Sequence, residues 1–372
     1  MLRPRFHVPL MIACLALPGC DWQQPVARDE WPIGAAAGAA SADDVAWLDP
    51  QDARTIVVGG QRILQADGDV FAICALRNGS LVALGDGSPL VIEHGDGGWK
   101  ARKLPPLPYP IRAAASDPSG SLAIITGGVL RNHPERASDE AEPAPWVLGA
   151  EGRMAGVGEN GLTVGEVDVQ ADWSPWRVKT GHFAGEDDAL VFVYKSTPFD
   201  PIVRPRPFVY SIVGDPPRLK ARWRGTSFSH PFVDATFGDF TGSGEGEIAA
   251  LEVGENSERL LTAYHFEGFG LAGLAPTIEL GAVSDKLIAA DVCGDGRHEL
   301  IVESPGPERG FIAYGLTDGP EPRLERVAIA PLTTDTDAWC LLARDNGQLA
   351  QVAYLDGRKL QTTRFQVAAD RG

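Results

Sequence analysis

The chain has 372 residues, including 43 glycines and 29 prolines, a composition that indicates many turns. It carries 33 basic and 50 acidic residues, for a net charge of −17. This charge disfavours nucleic-acid binding, because phosphates need a basic face, and an anionic lipid surface would repel the chain.

The first 19 residues have the features of an export signal. A basic start, Met1–Arg5, precedes the apolar stretch Val8–Leu17, which is too short to span a bilayer as a helix. The stretch ends in Leu17-Pro-Gly-Cys20, which resembles the lipobox of bacterial lipoproteins. That resemblance implies cleavage before Cys20 and acylation of its thiol by palmitate-like chains. The alternative is an ordinary cleaved signal followed by a chance cysteine.

Acylation would hold the protein at a membrane of the cell envelope, facing the periplasm, because each buried methylene adds affinity. Asp21 resembles a signal that retains lipoproteins in the inner membrane of some bacteria, and the choice between inner and outer membrane stays open. Residues 20–45 include the run Gly34–Asp44 and lack an apolar period, so they predict a flexible tether. The folded domain is predicted to span residues 46–370.

From Trp47 onward the sequence predicts short strands bounded by turns. The Asn78-Gly79 dipeptide is a strong hairpin signal between two apolar runs, and Gly79-Ser-Leu recurs as Gly120-Ser-Leu. The strands group into units of about 45 residues, a length typical of four-stranded propeller blades. The first three units and the last one cover Thr55–Glu93, Ile111–Thr126, Trp146–Val169 and Ala338–Val367.

Units four to six are marked by three similar loops. Phe237–Glu252 and Ala289–Glu303 share the frame Asp-x-x-Gly-x-Gly-x-x-Glu before an apolar run, and Thr180–Val193 is a degenerate copy. The spacing of these copies, about 50 residues, is expected of propeller blades. The loops resemble the FG-GAP or VCBS repeats of integrin-like β-propellers, over residues 176–319. The resemblance and the seven units predict an all-β, seven-bladed β-propeller; six or eight blades, or two all-β domains, are alternatives.

Oxygen-bearing side chains at alternate positions of a tight loop are typical of calcium sites. The candidate ligands are Asp239, Thr241, Ser243 and Glu247 in one loop and Asp291, Asp295 and Glu299 in the next. Cys293 stands where a carboxylate would be needed, and His182 and Ala184 replace ligands in the third copy. We therefore expect no cofactor beyond low-affinity calcium. The alternative is that these loops are hairpin turns kept for their glycines and local hydrogen bonds.

One stretch combines basic and aromatic residues with prolines in an otherwise acidic chain, Lys195–Tyr210, and Arg222–Phe232 follows it. Prolines stiffen a segment and reduce the entropy lost on binding, and arginine and aromatic side chains are favoured interface anchors. The alternative is a long loop packed over the propeller face. The candidate binding residues are Phe199, Arg204, Arg206, Phe208, Tyr210, Trp223 and Arg224.

Three cysteines lie in the predicted domain, Cys74, Cys293 and Cys340, and they allow at most one disulfide in an oxidising compartment. Cys74 and Cys340 fall in the first and last units, which propeller closure would make neighbours. A Cys74–Cys340 bond and separate buried thiols are both open.

The seven histidines show no metal-binding pair, and no nucleophile elbow or phosphate loop is present. The sequence therefore predicts a membrane-anchored envelope lipoprotein that acts as a non-enzymatic binding or scaffold module for protein or glycan partners. Because propeller active sites draw single residues from many blades, the alternative is a periplasmic enzyme of the lyase, glycosidase or quinone-dependent dehydrogenase type.

Overall fold

A computed structural model describes residues 33–35, 41–49, 52–76, 79–85, 87–104, 111–116, 123–127, 153–158, 161–166, 174–197, 200–213, 218–225, 227–306, 308–342, 350–357 and 359–367. Within these ranges the chain is built of β-strands and one short 3-10 helix, Ala42–Asp44. Among the described residues, no helix reaches the length and hydrophobicity that a membrane span requires.

The strands form seven antiparallel sheets. The first sheet contains β1 to β4, at Ile33–Ala35, Val45–Asp49, Asp52–Val58 and Gln61–Gln65. The second contains β5 to β8, at Val70–Ala75, Leu81–Gly85, Leu90–Gly95 and Gly98–Lys103. The third contains β9 to β12, at Ile111–Ser116, Ala123–Gly127, Arg153–Gly158 and Gly161–Glu166. The fourth contains β13 to β16, at Ser174–Phe183, Glu186–Thr197, Asp200–Val213 and Arg218–Arg224.

The last three sheets continue this plan with changes at their outer edges. The fifth contains β17 to β19, at Phe232–Gly238, Glu247–Val253 and Arg259–Phe266, and its outer strand is split into β20 and β21, at Leu271–Gly273 and Ile278–Leu280. The sixth contains β22 to β25, at Ile288–Ala290, Glu299–Ser304, Gly310–Leu316 and Leu324–Pro331. The seventh contains β26 to β28, at Ala338–Leu342, Gln351–Asp356 and Lys359–Arg364, while β29, Gln366–Val367, pairs with β25 of the sixth.

The first strands of successive sheets lie side by side. β5 contacts β9, β9 contacts β13, β13 contacts β17, and β17 contacts β22. β1 contacts both β5 and β26, so the last sheet returns to the first and closes a ring. Apolar side chains fill the wedges between sheets, as where Phe183 of the fourth stacks on Phe237 of the fifth, 5.1 Å between ring centroids. The predicted seven-bladed β-propeller is confirmed.

The blade boundaries differ from those predicted, although their number is right. The predicted first unit, Thr55–Glu93, is divided between the first and second sheets, while the predicted second and third units join in one sheet, β9 to β12. Connections inside a blade and between blades both appear in sequence as turn residues between apolar runs. The turns alone therefore could not locate the boundaries.

The predicted tether of residues 20–45 is too long. Ile33–Ala35 forms the innermost strand of the first sheet and pairs with Val45–Trp47. Gly34 is buried there, and a Cβ on it would lie 2.7 Å from the carbonyl oxygen of Ile73, so this glycine is required by close packing. The small residues suggested a linker, but the missing side chain of Gly34 is what admits this strand beside β5.

The prediction that the Cys74 and Cys340 units are neighbours is wrong, because the first sheet lies between them. Cys74 lies on β5 and Cys340 on β26, and β1 contacts both of these strands. Cys74, Cys293 and Cys340 are free thiols in the structure. The error follows from the missed strand β1, which makes the sheet with Cys74 the second rather than the first.

Candidate functional site

The ring has two faces that are defined by the direction of its first strands. Lys179 of β13 lies beside Asp234 of β17, and further along both strands Gly181 lies against Phe237, so the two strands run parallel. We call the face where first strands begin the entry face and the face where they end the exit face. The glycine-acid loops, which follow β17 and β22, lie on the exit face.

In the first glycine-acid loop the carboxylate of Glu247 accepts hydrogen bonds from within the loop. It accepts from the N–H of Phe240 at 2.6 Å and that of Thr241 at 3.4 Å, and from the hydroxyls of Thr241 and Ser243. Glu247 is 5% exposed. Asp239 accepts from the N–H of Gly244 at 2.9 Å. The four calcium candidates of this loop thus bind the loop itself.

The second loop repeats this arrangement. Glu299 accepts from the N–H groups of Val292 at 2.8 Å and Cys293 at 3.2 Å, and burial raises its pKa. Asp291 accepts from the N–H groups of two glycines, and Asp295 from that of Arg297 at 3.0 Å. In the described part of the chain, no group of three His, Cys, Asp or Glu side chains is placed to hold a metal ion. The hydrogen bonds within the loops fit the hairpin-turn alternative, and the calcium sites stay a prediction.

The loops also join neighbouring blades, a role that the sequence did not reveal. The turn of the third copy donates from Ala184 and Gly185 to the carbonyls of Gly246 and Glu245, at 3.1 and 2.7 Å. A Cβ on Gly246 would lie 2.1 Å from the carbonyl oxygen of His182. Gly246, which is not one of the two glycines of the shared frame, is therefore required by the contact between sheets.

At the entry face, a charge network connects the inner strands of the fourth and fifth sheets to the sixth. The carboxylate of Asp234 is fully buried and lies 3.0 Å from Arg177, 3.2 Å from Lys179 and 2.9 Å from the N–H of Leu287. Burial raises the pKa of Asp234, but the charges of Lys179 and Arg177 and the Leu287 hydrogen bond outweigh it, and the pKa lies below its ordinary value. The carboxylate therefore stays ionised and is bonded to groups of the fourth and sixth sheets, so it links these sheets to the fifth.

A second buried cluster contains the residue types of a catalytic site. Glu252, with no exposed surface, accepts from Thr262 at 2.7 Å, Tyr264 at 2.9 Å and the N–H of His230 at 3.0 Å. The Tyr264 hydroxyl also lies 2.9 Å from that of Ser229. Burial raises the pKa of Tyr264 to about 12, so the phenol is a poor base at neutral pH. The hydrogen bonds around Glu252 stabilise the fifth blade. No motif in the sequence predicts this cluster.

The stretch predicted as a binding surface is a strand and not a loop. Arg206, Phe208 and Tyr210 alternate along β15 and are buried, with 0%, 4% and 0% exposed. Trp223 and Arg224 are half-buried on β16. These five residues therefore do not form one open surface. The period of two in Arg-Pro-Phe-Val-Tyr is the strand signal that the prolines masked in the sequence interpretation.

The remaining part of that stretch does extend outwards. Ser174, where β13 begins, pairs with Tyr194, and Phe208 pairs with Arg224, where β16 ends. The pairs Lys195↔Arg204 and Thr197↔Asp200 continue beyond both flanking strands. We call residues 195–197 and 200–204 the arm; they extend from the entry face as two paired strands. Phe199 lies outside the described residues.

No protein-family model matches the chain, and no curated protein matches it. The solved structures that are similar to it include the following three. The WD40 domain of coronin from Toxoplasma gondii is 15% identical, with a TM-score of 0.43, over 80% of this chain and 81% of that one. A candidate 6-phosphogluconolactonase from Bacteroides uniformis is 14% identical, with a TM-score of 0.46, over 91% and 97%. A protein of unknown function from Dyadobacter fermentans is 12% identical, with a TM-score of 0.48, over 80% and 93%.

Proposed function

We propose that this protein is a lipid-anchored β-propeller of the bacterial cell envelope that binds a partner protein, without catalysis, through its entry face. The observation that carries the proposal is the short distance in sequence between Cys20 and the ring. Residues 21–32 separate Cys20 from β1, and such a segment spans at most about 45 Å when fully extended. An acylated Cys20 would therefore keep the ring close to the membrane.

The arm is the part of the entry face that fits a partner best. Among the described residues, its two strands have no neighbour beyond Ser174 and Arg224, and such outer edges can accept a strand from another protein. Pro201 and Pro205 remove N–H donors from the β15 side, which leaves the Lys195–Thr197 edge as the competent one. Lys195 and Arg204 sit opposite each other in a chain of net charge −17, and they favour an acidic partner segment.

Three of the buried acids support binding over catalysis. Asp234, Glu247 and Glu252 are each held by two or more donors, so none offers a free carboxylate for proton transfer. The glycine-acid loops, which resemble FG-GAP or VCBS repeats, bond neighbouring blades to each other in this proposal. By fixing the blades on the exit face, they keep the ring, and with it the entry face, rigid.

The anchor is tested by fractionation of Cys20→Ser. The variant should move from the membrane to the soluble fraction, and a Cys20→Ser protein that stays with membranes after a high-salt wash contradicts the anchor.

The arm is tested by crosslinking in membranes followed by purification of captured partners. Lys195→Ala/Arg204→Ala should reduce capture of the main partner at least fivefold. The control Arg259→Ala/Arg309→Ala removes two basic side chains from other turns of the entry face and should capture normally. Equal capture by both variants contradicts a role of the arm.

A further inference from the structure

A cavity of about 500 Å³ lies where the ring closes, between the first and seventh sheets. Its walls come from β2, β3 and β4 on one side and from Lys359 and Leu360 of β28 on the other. Cavities of this volume are typical of small-molecule sites in proteins. It is separate from the arm, which belongs to the fourth sheet.

The floor of the cavity is apolar and belongs to the core. Trp47 and Val57 are directly paired across β2 and β3, and they are 5% and 7% exposed. Leu360 packs against the same core cluster from the seventh sheet. Trp47 and Leu360 therefore offer a rigid apolar surface at the point where two blades meet.

Charged groups of both signs surround this floor. Asp49, 7% exposed, pairs with the guanidinium of Arg62, whose side chain is 66% exposed. Asp43 and Lys359 are exposed members of the lining. The cavity thus holds two carboxylates and two cations within a chain of net charge −17.

On one side of the cavity the lining is the Gly59-Gly60 turn, where a ligand can contact the protein backbone directly. Both glycines have positive φ, 55° and 82°, and a Cβ on Gly59 would lie 2.8 Å from the carbonyl oxygen of Asp43. A Cβ on Gly60 would meet nothing within 4 Å, so a ligand can approach that peptide closely.

We propose that this cavity binds a neutral saccharide, an inference that rests on the proposed binding function and adds a second ligand class to it. A charged ligand would meet a like charge from Asp43 or Lys359. Sugar hydroxyls both donate and accept, so they can satisfy Asp43 and the N–H groups of Arg62 and Lys359 together. The C–H face of a sugar ring is apolar and suits the Trp47 and Leu360 surface.

The test uses the full-length chain in a detergent without a sugar headgroup. Maltotriose, cellotriose and N-acetylchitotriose are titrated to about 10 mM, and binding is followed by calorimetry and by saturation-transfer NMR. At least one should bind the wild-type protein. The variant Asp43→Ala/Lys359→Ala should weaken that binding at least tenfold, since both groups contact the ligand.

The matched control is Asp96→Ala/Lys100→Ala, which removes one exposed acid and one exposed base from the second sheet, outside the cavity. It should bind the sugar as the wild type does. Absence of binding to all three sugars, or equal binding by both double variants, overturns the proposal. Either result leaves membrane retention through Cys20 and capture through the arm unaffected, so failure here is distinct from failure of the proposed function.

Discussion

Asp239 and His298 bond each other twice across two blades of the ring. The N–H of His298 donates to the carbonyl oxygen of Asp239 at 2.7 Å, and the N–H of Asp239 donates to His298 Nδ1 at 3.2 Å. Each residue belongs to a glycine-acid loop, so the two repeats bind one another directly. This geometry needs an unprotonated Nδ1, with the proton on Nε2.

Replacing His298 by Ala should destabilise the ring modestly. The backbone bond remains, but the Asp239 N–H loses its partner, and a loss of about 0.5–1.5 kcal/mol in the free energy of unfolding is expected. Urea denaturation measures it. His265→Ala, which removes a histidine bonded to Glu267 at a partly exposed site, is the control and should change stability less. Equal stability of wild type and His298→Ala would show that the pair contributes nothing.

Glu247→Gln should cost more than His298→Ala. The buried carboxylate accepts from the N–H of Phe240 and from Thr241 and Ser243, and an amide can match only part of this set. Hydrogen bonds to charged groups contribute about 1.5–3 kcal/mol, and a loss in that range is expected by thermal or urea unfolding. Glu245→Gln, an exposed position in the same loop, should be neutral.

Calcium should have little effect on stability, because the loop oxygens already bind the loop. A ligand that binds only the folded state raises stability by an amount that increases with the ratio of its concentration to its Kd. Addition of about 1 mM calcium, or of a chelator, should therefore shift Tm by less than about 1 °C. A rise of several degrees that Glu247→Gln abolishes would show that the loops are calcium sites after all.

Asp188 should make the protein less stable as the pH rises from 4 to 6. Burial raises its pKa from 3.8 to about 6, although Arg222 pairs with it and opposes the change. Because the folded-state pKa is the higher one, its contribution to stability is full below pH 3.8 and is lost as the pH passes about 6.

Asp188→Asn should remove this loss and leave the variant more stable than the wild type at pH 7, by on the order of 2–3 kcal/mol. Urea unfolding at pH 4, 5, 6 and 7 measures it. Asp187→Asn, half exposed beside it, is the control and should follow the wild-type profile. An Asp188→Asn protein that is less stable at pH 7 would contradict the prediction.

The thiols should react slowly in the folded protein. Burial raises the pKa of Cys74 and that of Cys340 to about 12, so the reactive thiolate is scarce at neutral pH. Peptide mapping after alkylation should show both unlabelled under native conditions and both labelled in guanidinium. A crosslinked Cys74–Cys340 peptide under non-reducing conditions would contradict the position of β1 between their strands.

The repeat frame predicted the positions of the loops, because glycines with positive φ have a strong sequence signature. The frame glycines Gly242, Gly244, Gly294 and Gly296 all adopt positive φ. What the carboxylates do there depends on which way they point, and the same Asp and Glu pattern suits both a cation and backbone N–H groups. The sequence could not separate these outcomes. In the structure the Glu247 carboxylate accepts hydrogen bonds from the N–H groups of Phe240 and Thr241.

The network around Asp234 could not be predicted, because its partners come from distant positions. Arg177 and Leu287 reach it only once three sheets are arranged side by side. The buried ion pair Asp188–Arg222 likewise joins residues that are distant in sequence, although both lie in one sheet. Strand period predicts which face of a strand is apolar, but not which buried acid meets which base.

The chain end should be essential for stability, because it joins the last two blades. After β28 the chain crosses from the seventh sheet to the sixth, where Gln366 pairs with Ile329 and Val367 with Ala328. Phe365, at the crossing, is fully buried in the cluster that contains Phe311 and lies between the two sheets. Its N–H also donates to the carbonyl oxygen of Ala350 at 3.2 Å.

Phe365→Ala should therefore lower the free energy of unfolding by about 3–5 kcal/mol, the usual cost of removing a buried phenylalanine. A chain that stops after Phe365 keeps the phenyl side chain in the core and lacks only the pairing of β29 with β25. Its free energy of unfolding should therefore fall by less. A chain that lacks residues 368–372 is the control. Urea unfolding of the three proteins gives the order directly. If the chain without β29 is as unstable as Phe365→Ala, then strand pairing, and not the packing of Phe365, closes the last two blades.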